Sequence, residues 1–164
     1  MRRRSMIVSA AFFFAVACGS KDSSSVTGTN NNGNTGGTAN GSMTATIDGK
    51  AWAGLSANVG YKNGIIAIAG TELSSGLTMS VGSGLVNGPG TYPLMASSTN
   101  AGIGLITQGS ASWSTASQGG TGSLVITTLT ANHVVATFSF SAPSLTGGAA
   151  GTRVVTNGRI DATF

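Results

Sequence analysis

The sequence predicts an all-β domain, an antiparallel β-sandwich or a closed β-barrel of about eight to ten short strands. Gly, Ser, Thr and Asn supply 80 of the 164 residues. Charged residues make up only 7%, against about 25% in ordinary soluble proteins, which leaves too few to cover the exposed faces of a helical bundle. Several segments alternate between apolar and polar residues, and Asp48-Gly49 and Asn63-Gly64 are signals for tight hairpins.

The alternation and the turn signals together place ten strands. They are predicted near 43–48, 51–59, 64–71, 76–82, 91–95, 102–107, 109–114, 122–130, 133–141 and 152–164. In the last strand, the even-numbered positions from Val154 to Phe164 are predicted to face the core. Because the alternation continues through Asn157-Gly158, we predict a single strand with a bulge there instead of a hairpin.

The larger apolar residues of these strands form the predicted core: Ile47, Trp52, Ile66, Ile68, Leu77, Met79, Val81, Tyr92, Leu94, Trp113, Leu124, Ile126, Val134, Phe138, Phe140, Ile160 and Phe164.

The segment before the domain is predicted to contain an export signal and a linker. Residues 1–17 combine three arginines with an apolar run of about 11 residues, too short for a bilayer span of roughly 20. Between residues 19 and 42, 20 of 24 residues are Gly, Ser, Thr or Asn, a composition that cannot offset the entropy of ordering. We therefore predict a signal peptide at 1–17, Cys18 with a flexible linker at 18–42, and the all-β domain at 43–164.

The junction between signal and linker reads Ala15-Val16-Ala17-Cys18-Gly19-Ser20 and resembles the lipobox of bacterial lipoproteins. The resemblance implies cleavage between Ala17 and Cys18, a diacylglyceryl group and palmitate-type acylation on Cys18, and membrane attachment through that lipid. In some lipoproteins an Asp directly after the lipidated Cys retains the protein in the inner membrane. Since this chain has Gly19 at that position, the resemblance implies the outer membrane of a Gram-negative envelope. The alternative is an ordinary secretory signal with a chance cysteine, although Cys18 is the single cysteine of the chain.

The domain itself resembles a family of small all-β lipoprotein domains of unknown function. The resemblance is carried by Thr44-Ala45-Thr46-Ile47-Asp48-Gly49-Lys50-Ala51-Trp52, Gly90-Thr91-Tyr92-Pro93-Leu94, Ala136-Thr137-Phe138-Ser139-Phe140 and Val155-Thr156-Asn157-Gly158-Arg159-Ile160. These are turn and core residues. The resemblance therefore implies a fold and brings no catalytic or binding residue with it.

The residue types that carry out catalysis or bind metals are scarce. His133 is the single histidine, and we expect it in a solvated turn between two strands. Asp48, Glu72 and Asp161 are the carboxylates of the domain, so we expect no catalytic residues, no metal site and no cofactor. After Cys18 the chain has five basic and four acidic residues, scattered along it, which argues against nucleic-acid binding.

The sequence therefore favours a lipid-anchored, non-catalytic domain of the cell envelope with a structural or a ligand- or partner-binding role. The partner, a protein or a glycan, is not identified, although Trp52, Tyr61, Tyr92 and Trp113 are candidates for stacking on a sugar. A small integral outer-membrane β-barrel is an alternative, supported by the alternating strand that ends at Phe164. Against it, seven aromatic residues in the domain are too few for two girdles. A hydrolase is a third and weaker alternative.

Overall fold

Tight turns and short β-strands make up the part of the chain that the computed structural model describes, residues 40–55, 57–96 and 102–164. The predicted signal peptide, the cleavage and lipidation site at Ala17 and Cys18, and the linker up to residue 39 lie outside the described residues. The first strand begins at Asn40, three residues before the predicted start of the domain.

Eleven strands lie in the described residues. They are β1 (Asn40–Ile47), β2 (Lys50–Gly54), β3 (Asn58–Lys62), β4 (Ile65–Glu72), β5 (Leu77–Ser83), β6 (Gly90–Pro93), β7 (Ile103–Gln108), β8 (Ala111–Ser114), β9 (Thr121–Leu129), β10 (His133–Thr146) and β11 (Thr152–Thr163). The all-β prediction is confirmed, and the predicted hairpin turns are present. Asp48 and Gly49, like Asn63 and Gly64, have the positive φ angles that a tight two-residue hairpin requires.

The strands form one curled antiparallel sheet, an open half-barrel. Neighbours follow the order β2-β1-β11-β10-β8-β7-β5-β4-β3, while β9 pairs with β10 and β6 pairs with β9. The two end strands, β2 and β3, are consecutive in the chain. Where they meet, the Leu55 N–H donates to the Thr71 carbonyl at 3.1 Å and the Ala57 N–H to the Gly41 carbonyl at 3.3 Å. The predicted strand 51–59 is therefore divided, because the chain leaves β1 here and joins β4.

The predicted bulge in the last strand is confirmed, and it reverses which residues face inward. Asn157 has φ 52°, and the β11 pairing with both β1 and β10 shifts by one residue at this point. An inserted residue moves every following side chain to the opposite face. As a result Val155 is buried before the bulge and Ile160 after it, whereas Val154 is exposed. The prediction that Val154 faces the core is wrong for this reason.

One hydrophobic core lies on the inner side of the curled sheet. Of the predicted core residues, all are buried except Tyr92 and Phe164, which are half-buried. The rings of Phe138 and Phe140 stack at a centroid distance of 6.2 Å near the middle of β10. A Cβ at Gly104 would lie 2.8 Å from ring atoms of Phe140, so the ring fits only because that residue has no side chain.

We expect Phe140→Ala to lower the free energy of unfolding by about 3–5 kcal/mol, because it leaves a cavity that glycine neighbours cannot fill. Urea unfolding of residues 40–164 measures the change. Leu73→Ala is the control, since Leu73 is 76% exposed and should change stability by less than about 0.5 kcal/mol. Equal small effects of both substitutions would contradict the core described above.

Candidate functional site

The outward-facing side chains of β6, β9, β10, β11, β1 and β2 form a surface made mainly of hydroxyl groups, which we call the hydroxyl face. One row crosses all six strands because each residue is the register partner of the next: Thr91, Val125, Thr137, Arg159, Thr44 and Ala53. The adjoining row includes Ser123, Ser139, Thr156, Thr46 and Ala51. Neighbouring strands in a sheet lie about 4.8 Å apart, so the hydroxyl groups are regularly spaced.

Arg159 is the one cation among these outward-facing side chains of the described strands. Its side chain borders two shallow open depressions of about 410 and 420 Å³, which share Asn157 and Arg159 in their linings. The first includes Thr44 and Thr46, and the second includes Ser139 on the opposite side of β11. Within the described part of the chain, the Arg159 guanidinium has no hydrogen bond or ion pair. Its five donors are therefore available to a ligand.

The bulge at Asn157 determines where Arg159 lies. Without the extra residue, the alternation that buries Val155 would also bury position 159 and expose position 160. With it, Arg159 points outward between Thr137 and Thr44 while Ile160 points into the core. A charged group is thereby placed outward in a part of the strand whose inward positions, Gly158, Ile160 and Ala162, are buried and apolar.

His133 is the first residue of β10, which agrees with the predicted strand at 133–141 and not with the expected turn position. Its Nε2 lies 2.8 Å from Oδ1 of Asp161, and both side chains are substantially exposed. In the described part of the chain this carboxylate is the only polar partner of the His133 ring. Among the described residues, no hydroxyl group is hydrogen-bonded to the imidazole ring.

The other two carboxylates are held on separate elements. Glu72 accepts a hydrogen bond from the Ser75 hydroxyl at 2.5 Å. Asp48 accepts from the Arg153 guanidinium at 2.8 Å and from the Val154 N–H at 2.9 Å. Since each carboxylate has its own partner, the geometry provides no shared acid–base pair, and the described residues contain no cluster of three or more metal-ligating side chains.

Arg153 joins the Asp48 turn to β8. Its guanidinium lies 4.6 Å above the centre of the Trp113 ring, and the Trp113 Nε1–H donates to the Ala150 carbonyl at 3.1 Å. Burial raises the pKa of Asp48, but the hydrogen bonds from Val154 and Arg153 and the nearby positive charges lower it more, so the pKa lies below its ordinary value. This cluster therefore stabilises the structure.

The four aromatic residues predicted as candidates for sugar stacking have structural contacts instead. Trp52 and Trp113 are buried, with 4% and 5% of their surface exposed. The hydroxyls of Tyr61 and Tyr92 donate to the carbonyls of Val86 and Gly88, at 3.1 and 2.6 Å. None of the four presents an open ring on the hydroxyl face.

Sequence reasoning missed Arg159 as a site residue because it could not establish which strands are neighbours. The available signal was a charged residue next to the predicted bulge, on the side of the last strand that the alternation assigns to polar residues. Among the described residues there is also no helix of sufficient length and apolarity to cross a bilayer.

The chain matches no model of a known protein family, no curated protein and no solved structure.

Replacing Asp48 should make the free energy of unfolding depend less on pH in the acidic range. Because the folded-state pKa of Asp48 is lowered, its contribution is present above the unfolded-state pKa and is lost as pH falls through the folded-state pKa, within about pH 5 to 2. In urea unfolding across that range, Asp48→Asn should lose less stability than the unsubstituted protein. Asparagine tolerates the positive φ of this turn, so the hairpin is preserved.

Arg153→Gln provides a companion measurement. It removes the charged partner but keeps the Val154 N–H, so it should reduce the acid dependence in the same direction and to a smaller extent. Unchanged acid dependence in both variants would show that Asp48 does not contribute through these contacts.

Proposed function

We propose that the protein is a lipid-anchored, non-catalytic domain of the cell envelope whose hydroxyl face binds a ligand. The observation that carries the anchor is the position of the only cysteine, Cys18, directly after Ala15-Val16-Ala17 and before a linker rich in Gly, Ser, Thr and Asn. Two or more acyl chains are enough for stable membrane attachment. Outer-membrane residence is part of the proposal, as the resemblance around Gly19 implies.

The separate engagement of the ionisable side chains supports a non-catalytic role. Asp48, Glu72 and Asp161 each interact with a different group, and His133 is paired with Asp161 at the exposed start of β10. General acid–base catalysis requires such groups to converge on one reacting atom. The shallow depressions beside Arg159 are also open to solvent, whereas a small-molecule site encloses most of its ligand.

The chemistry of the hydroxyl face favours an acidic glycan as the ligand. Serine and threonine hydroxyls both donate and accept hydrogen bonds, as the hydroxyls of a sugar do. Arg159 adds a planar donor that matches a carboxylate with two parallel hydrogen bonds. The face also lacks the exposed aromatic anchors that dominate protein–protein interfaces, within the strands that the structure describes. We therefore assign a binding role to this surface, with Arg159 at its centre.

The anchor is tested by growing cells with labelled palmitate. The unsubstituted chain should incorporate the label and remain with the membrane fraction, and Cys18→Ala should lose the label and be left as precursor or released. Labelled Cys18→Ala protein would refute the anchor. Unlabelled protein that leaves the membrane only in detergent would instead favour the membrane-spanning alternative.

The ligand class is tested by affinity electrophoresis of residues 40–164 in gels that contain polygalacturonate or neutral dextran. Polygalacturonate should retard the protein, and Arg159→Gln should weaken this binding about 10- to 100-fold, because hydrogen bonds between charged groups contribute about 1.5–3 kcal/mol. Lys62→Gln is the control, since it removes the same charge from β3, away from the hydroxyl face. Equal retardation of the two variants, or retardation by dextran alone, would contradict a site centred on Arg159.

A further inference from the structure

The outward side of β4, β5 and β7 has a chemical character different from the hydroxyl face. Ile65 and Ile103 are 60% and 46% exposed. Ile103 forms one row with Gly82 and Ala67 through their register pairing, and Ile65 lies two residues before Ala67 on the same side of β4. Leu85, in the loop after β5, is 58% exposed. We call these five residues the apolar patch. Large exposed apolar side chains grouped in this way mark interaction surfaces more often than singly scattered ones do.

Leu85 is exposed by an unusual backbone conformation. Its φ angle is +56°, in the left-handed region that glycine or asparagine adopts at much lower cost. The following N–H, that of Val86, donates to the Gly64 carbonyl at 2.7 Å and fixes the loop beside the β3–β4 turn. The protein thus holds a large apolar side chain in solvent at a strained position, where a small residue would be more stable. Strain of this kind is typical of functional segments.

The apolar patch lies at the end of the sheet where the chain enters the domain. Asn40 is the register partner of Thr163, and the ring of the next residue, Phe164, lies 6.2 Å from that of Tyr61. The Tyr61 hydroxyl donates to the carbonyl of Val86, which follows Leu85. Tyr61 also precedes Lys62, the register partner of Ile65. This series of contacts places Leu85 and Ile65 near Asn40.

The position of Asn40 indicates which surface the apolar patch meets. Residues 19–39 join Asn40 to the proposed anchor at Cys18, and the flexible linker predicted from their composition would have a root-mean-square span of about 25 Å. Strand β11, with 12 residues, is about 40 Å long. The end of the domain at Asn40 therefore stays closer to the bilayer than the opposite end does. The linker therefore keeps the apolar side chains at this end of the domain at a high local concentration near the lipid.

The distribution of charge agrees with a lipid surface as the partner. Lys62, the register partner of Ile65, is a basic residue beside the apolar patch. The carboxylates of Asp48 and Glu72 lie at the ends of β1 and β4 remote from Asn40 and Ile65. Asp161, the third carboxylate side chain of the described residues, is paired with His133 on the hydroxyl face.

We propose that Leu85, Ile65 and Ile103 insert into the bilayer surface and hold the domain with its Asn40 end against the membrane. This inference rests on the proposed lipid anchor, which brings the domain to the bilayer. The depth is limited to the interface, because three apolar side chains on loops and strand ends cannot span the hydrocarbon core. The hydroxyl face, on other strands of the sheet, is left exposed to the aqueous side.

The test uses the full chain in vesicles of phosphatidylethanolamine and phosphatidylglycerol. Leu85→Cys is labelled with a fluorophore that reports polarity, and lipids that carry a nitroxide serve as quenchers. Leu73→Cys is the matched control, because Leu73 is an exposed leucine in the turn at the opposite end of β4. We expect a shift to shorter wavelength and strong quenching of the label at position 85, with neither at position 73. Ile65→Ser with Ile103→Ser should reduce quenching at position 85.

The outcomes separate this inference from the anchor on which it rests. If the vesicles float without protein, or if the unsubstituted chain takes up the label at Cys18, the anchor fails. If the protein floats but the labels at positions 85 and 73 are quenched equally or not at all, the membrane-docking proposal is overturned. A spectral shift at position 85 that needs no lipid, together with disulfide-linked dimers of the unlabelled Leu85→Cys protein, would also overturn it, in favour of a second copy of the chain as the partner.

Discussion

The pairing of β10 with three other strands is the interaction on which the rest of the sheet depends. One edge of β10 pairs with β11 along most of its length, while the other pairs first with β9 and then, beyond Pro143, with β8. Pro143 has no N–H to donate, which is tolerated where a strand changes neighbours. Because β9 leads to β6 and β8 leads to β7, β10 connects the strands of the hydroxyl face with those that carry the apolar patch.

The side chains of β10 show why this connection is strong. Val134, Ala136, Phe138, Phe140 and Ala142 all point inward and are buried. Opposite them, Gly104 and Gly158 leave space that the rings of Phe140 and Phe138 occupy, and Gly122 lies against the Cβ and backbone of Phe140. The sheet can bend closely around these rings because its neighbouring strands contribute backbone there instead of side chains. A single strand thus supplies both the hydrogen-bonded junction and two buried phenylalanine rings of the core.

Local signals in the sequence were enough for the turns and for most strands. Asp48-Gly49 and Asn63-Gly64 encode their hairpins within two residues, and alternation identified the buried face of β5 and β10. Asn157-Gly158 correctly predicted a bulge. Whether Val154 or Val155 then faces the core depends on how β11 pairs with β1 and β10. Pairing between distant segments has no signature in either segment alone, so the change of partner between β2 and β3 could not be predicted.

The same distinction explains how much of the two proposed binding surfaces could be predicted from the sequence. Composition predicts many exposed hydroxyls, but only the strand order brings Thr137 and Thr44 to either side of Arg159. The conformation of Leu85 is also beyond sequence reasoning, because a leucine with positive φ contradicts its intrinsic preference. Where tertiary structure holds a residue in a backbone conformation that it does not prefer, stability is reduced, and such positions are expected to serve a function.

The low charge of the domain gives both surfaces their character. With few charged side chains available, the exposed sides of the strands are covered by threonine and serine, which suit a β-strand and remain hydrated. On β4, β5 and β7 that covering is interrupted by Ala67, Gly82 and the exposed isoleucines Ile65 and Ile103. A sheet that is mainly polar on six strands and apolar on part of the others has two distinguishable sides. Such a molecule can orient at a boundary between lipid and water, because turning either side toward the other medium would cost free energy.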